Sequence, residues 1–173
     1  MASKYTETNL LPALRLFIKA RHEARALGFT DNGGAIHSVE RILDILSQRI
    51  KYPGLSHTHH LKKDMLAERS IGAHEALLRG EKVFIEHVKP QRAFALSVID
   101  IVDDSATDTE IVEYIRSNYQ LVLLNGEETR ILNLHNRTRI STDRLAEAGI
   151  TLYEDKTEID PPASVVNKKA RQL

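Results

Sequence analysis

The segment Ile85-Glu86-His87-Val88-Lys89-Pro90 sets a carboxylate, an imidazole and an ammonium within four positions and closes them with a proline. Imidazole changes charge near neutral pH, so His87 is the residue of this group best suited to moving a proton. A plain alternative is a strand-end histidine bonded to a neighbouring carbonyl. The second cluster is His57-Thr58-His59-His60. Two of its imidazoles can hold Zn²⁺ or Ni²⁺ if His74 or Glu75 completes the set, and the alternative is an exposed loop that happens to be rich in histidine. Cysteine is absent, which excludes disulfides, thiolate metal sites and a Cys nucleophile. The chain has no Gly-rich phosphate loop and no G-x-S-x-G elbow. Asp103-Asp104 reads as a solvated helix-end region rather than a catalytic carboxylate pair.

These residues need elements to hold them. Leu10, Leu14, Phe17, Ile18 and Leu27 recur at helical spacing after Thr8 or Asn9, and Gly28 stops that helix. A second helix carries Ile36, Val39, Ile42, Leu43, Leu46 and Ile50 and ends before Pro53-Gly54. A third helix is expected from about Leu61 to Leu78. The period then changes to the β-branched and aromatic run Lys82 to Val88, a short strand that Pro90 terminates. Helices follow over Arg92 to Val102 and Asp108 to Tyr119, the latter capped by Thr107 or Asp108. Gln120 to Leu124 is a second strand, handed by Asn125-Gly126 to a helix over Glu127 to His135. Asp143 to Ala148 reads as a helix and Ile150 to Tyr153 as a third strand. The fold class is therefore α+β, mostly helical, with a small two- or three-stranded sheet. One domain over residues 1–153 is expected, with a helical part (1–80) and a strand/helix part (81–153), then a loosely ordered tail (154–173).

Ile85-Glu86-His87-Val88-Lys89-Pro90 resembles the E-H-I-x-P signature of HNH-type (His-Me finger, ββα-metal) endonucleases of the H-x-x-P branch. Asn118 to Asn125, leading into a helix that bears Asn133, His135 and Asn136, is similar to that family's second strand and ligand helix. The resemblance implies a metal-dependent HNH-like nuclease that hydrolyses phosphodiesters of DNA or RNA in a prokaryotic or phage setting, or a decayed relative of one. His87 would be the general base and Glu86 an orienting group. Asn133, with His135 or Asn136, would hold Mg²⁺ or Mn²⁺. Lys89, Arg92, Arg130 and Arg137 would contact phosphate. The chain departs from the pattern in two ways. Roughly thirty residues separate the two motif halves, and Thr129 stands where a ligand is expected.

Charge is balanced at 24 basic against 24 acidic residues, which argues against a protein that coats nucleic acid by net charge. Basic residues are dense from Lys62 to Arg92, whereas Asp100 to Glu113 is acidic. No apolar run approaches the roughly 18 residues of a membrane helix, and the N-terminus lacks a signal-peptide core, so a cytoplasmic protein with no membrane partner is expected. The rival function is a non-catalytic regulator or inhibitor that docks a protein partner through its helical hairpin or acidic segment.

Overall fold

In a computed structural model, which describes residues 7–64, 67–135 and 143–154, the apolar stripes become helices that pack on both faces of one small sheet. Helix α1 (Glu7–Ala26) lies against α2 (His37–Lys51), and α2 in turn packs on α4 (Gln91–Asp103) and α5 (Asp108–Asn118). The stripe Val39, Leu43, Leu46 and Ile50 on α2 is buried, as its 3.6-residue spacing requires. Thr107 caps α5 through a reciprocal pair of bonds. Its Oγ1 accepts from the Glu110 amide, and the Glu110 carboxylate takes the Thr107 amide.

Strands β1 (Phe84–His87) and β2 (Leu121–Leu124) pair antiparallel, with His87 opposite Leu121 and Phe84 opposite Leu124. All four residues of β2 are buried. Alternation along the strand gives the reason. Leu121 and Leu123 join a large core with residues of α1, α2, α4 and α5. Val122 and Leu124 join a smaller one with Leu132 of α6 (Gly126–His135), Leu145 of α7 (Arg144–Glu147) and Ile150. The sheet is thus a thin partition between two apolar clusters.

The expected helix over Leu61 to Leu78 is broken. Thr58–Lys63 forms a 3₁₀ turn, and only Ile71–Leu78 is α-helical (α3). Between them residues 68–70 run alongside β2, where the Leu123 amide donates to Glu68 O and the Ser70 amide to Leu123 O. Ser70 then caps α3 by accepting from the Ala73 amide, so the chain enters that helix from extended backbone. Irregular apolar spacing before Ser70 follows from this, because the segment satisfies a sheet edge rather than a helix face. The expected third strand reduces to one bridge between Ser70 and Leu152. No helix among the described residues is long and apolar enough to cross a membrane. The tail from 155 onward, Asn136, Arg137 and the His135 side chain lie outside the described residues.

Candidate functional site

Strand alternation sends the two side chains of the Glu86-His87 pair to opposite faces of the sheet. His87 points toward the large core, where α2 supplies Asp44 and the end of α5 supplies Tyr119. His87 Nε2 lies 3.2 Å from Asp44 Oδ1, and the Tyr119 hydroxyl donates to the same oxygen at 2.9 Å. Gln48, one turn along α2, donates to Asp44 Oδ2 at 2.9 Å. Tyr119 also sits edge-on to the imidazole, with ring centroids 5.6 Å apart.

Burial drives the Asp44 carboxyl upward, but the bonds from His87, Tyr119 and Gln48 outweigh it and hold the group below the ordinary carboxylate range. The Tyr119 hydroxyl is pushed up by burial and by the Asp44 charge, so it stays a donor. These states fix the imidazole tautomer. Asp44 is ionised and can only accept, and Tyr119 spends its single proton on Asp44, so Nε2 must carry hydrogen. In the neutral ring the lone pair then falls on Nδ1, which has no hydrogen-bond partner among the described residues. The side chain is 31% exposed, so part of the ring can meet solvent or a ligand. A buried carboxylate polarises this histidine, in place of the backbone carbonyl that a strand-end histidine would use. The His87 carbonyl instead accepts from Arg144 at 2.8 Å.

On the other face, Glu86 is half-buried and takes a hydrogen bond from Asn133 of α6. Burial raises its carboxyl pKa, against the pull of Arg144, His87 and Asn133. Arg144 is 4% exposed, and burial lowers its pKa against the opposing charge of Glu86. Asn133 thus meets Glu86 rather than His87, with the sheet between. Among the described residues no three His, Asp or Glu side chains converge as a metal-holding group, and Asn133, the one ligand expected for Mg²⁺ or Mn²⁺ whose side chain is described, lies on the Glu86 face. The His57, His59 and His60 rings lie close together, but His74 is stacked on Tyr153 at 3.7 Å and Glu75 pairs with Arg79.

Three of the cations expected to contact phosphate already have acceptors. Lys89 donates to Asn118 at 2.6 Å, Arg92 to Glu40 at 2.9 Å and to Asn32, and Arg130 to Glu127. Arg137 lies outside the described residues. Sequence reasoning missed Asp44, Tyr119 and Arg144. For Asp44 a signal existed, since it interrupts the apolar run Ile42-Leu43-Asp44-Ile45-Leu46, and a charge on a buried helix face needs partners. No family model matches the chain, and neither a curated protein nor a solved structure does.

Proposed function

We propose that the chain is an HNH-like phosphodiester hydrolase acting on nucleic acid, with His87 as its general base. The observation that carries this reading is the His87–Asp44–Tyr119 arrangement, which leaves Nδ1 as a free base on a partly open ring. Nδ1 takes a proton from water as the water oxygen attacks phosphorus, and the P–O bond to the leaving oxygen breaks. The imidazolium so formed faces the ionised Asp44, which stabilises it, and its proton then passes to the departing oxygen. Asp44 is a positioning residue in this scheme because it acts only through His87. Nucleic acid as substrate is taken from the resemblance, whose two strands and ligand helix correspond here to β1, β2 and α6, with α4 and α5 between the strands.

The test is cleavage of plasmid DNA and of single-stranded RNA in buffers containing Mg²⁺, Mn²⁺ or EDTA. Wild-type protein is expected to cleave at least one substrate, and His87→Ala to lose about a hundredfold or more of that rate. Folded wild type that cleaves neither substrate in any buffer sinks the proposal. A protein-docking regulator is the second reading, and the exposure of Leu16, Leu27 and Phe29 favours it.

A further inference from the structure

We propose that the cleft between α2 and residues 55–58 is a phosphate-binding site that holds the backbone of a nucleic-acid strand. The proposal rests on the hydrolase reading for the source of the phosphate, and it names where that substrate is gripped. The cleft has a volume of about 340 Å³. Arg41, Gln48 and Arg49 of α2 form one wall, with Ser56, His57 and Thr58 of the following loop opposite. That size admits a short stretch of phosphodiester backbone but not a folded partner.

The chemistry of the walls selects an anion. Arg49 has no ion pair or hydrogen bond among the described residues. Arg41 reaches only Asp44, at 3.8 Å, with a side chain 72% exposed. Both guanidinium groups thus keep unspent donors, and their planar forks suit phosphate oxygens. The one carboxylate lining the cleft, Asp44, is already engaged on both oxygens by His87, Tyr119 and Gln48. From Ile45 to Lys63 the chain contains no Asp or Glu but carries Arg49, Lys51, Lys62 and Lys63. The segments flanking the loop therefore add positive field to the arginines without an opposing carboxylate. Arg41 and Arg49 are eight positions apart on one helix, so their Cα atoms are separated by about 12 Å along the axis, wider than a single phosphate. This spacing favours a strand over a lone phosphate ester. Asp44 links the cleft to His87, because its other oxygen holds the catalytic imidazole.

The experiment measures fluorescence anisotropy of labelled 12-nucleotide DNA and RNA strands, with tripolyphosphate as competitor, on the full chain. Arg41→Ala and Arg49→Ala are each expected to weaken strand binding about tenfold and to reduce its salt dependence by about one charge. Arg79→Ala, whose side chain pairs with Glu81 outside the cleft, is expected to bind like wild type. Arg49→Gln keeps most of the side-chain volume and guards against a packing effect. Wild type that binds no strand at low salt overturns the proposal, as does a folded double-arginine variant that binds like wild type. Binding of tripolyphosphate alone overturns the strand as the ligand. If His87→Ala retains binding and wild type fails to cleave, the cleft stands and only the hydrolase reading falls.

Discussion

Asp44 joins three elements through one carboxylate: α2, which carries it, the end of β1 through His87, and the end of α5 through Tyr119. A buried charge of this kind is tolerated because both carboxylate oxygens have donors, His87 and Tyr119 on one and Gln48 on the other. Replacing it with Asn keeps the shape but converts charge-assisted bonds to neutral ones. Asp44→Asn is therefore expected to destabilise the fold by about 1.5–3 kcal/mol at neutral pH, measured as a shift in the urea midpoint. The folded-state carboxyl titrates below its unfolded value, so its stabilisation is present above about pH 3.9 and disappears as pH falls through the folded pKa. The gap between wild type and variant should accordingly shrink as the urea series is repeated down to pH 3. An undiminished gap would show that Asp44 acts by packing rather than by charge. The apolar run around Asp44 made its burial readable from sequence, whereas His87 and Tyr119 lie 43 and 75 positions away and could not be read as its partners.

The N-termini of α3 and α6 meet and share a set of side chains. Asn125 and Glu128 cap α6 reciprocally, with the Asn125 amide on Glu128 Oε2 and the Glu128 amide on Asn125 Oδ1, each at 2.9 Å. Ser70, the cap of α3, donates its hydroxyl to the same Glu128 oxygen at 2.5 Å. Gly72 is what allows the approach. A methyl group there would sit 2.6 Å from Glu128 Oε1 and closer still to Asn125 Nδ2. Gly72→Ala is expected to cost about 1–3 kcal/mol, because the side chains it would displace are fixed by these caps. A thermal melt unchanged from wild type would show that the junction yields freely. That a helix begins close to Asn125-Gly126 was legible from residue type, although Gly126 is already helical rather than part of a turn, and the Thr107 cap was legible too. The break before α3 was not, because the pairing of residues 68–70 with β2 depends on a strand more than fifty positions downstream.

Across the whole molecule the two apolar clusters differ in size, and the sheet divides them. The larger is built from α1, α2, α4 and α5, while the smaller rests on Val122, Leu124, Leu132, Leu145 and Ile150. Fewer buried contacts mean a lower cost of local opening. Amides of α6 and α7 are expected to exchange with deuterium faster than those of α2 and α5, read by mass spectrometry of peptides at neutral pH. Equal protection would mean that the two clusters open as one unit. The sequence by itself determined the mostly helical α+β class, the positions of both strands and most helix ends, because periodicity, caps and turn residues act over a few positions. Tertiary structure alone decided which side chains meet. Strand parity turned His87 toward Asp44 and Glu86 toward Asn133, and helix packing set Arg41 and Arg49 facing the loop at 55–58. Such pairings depend on packing between segments far apart in the chain, which no local spacing encodes.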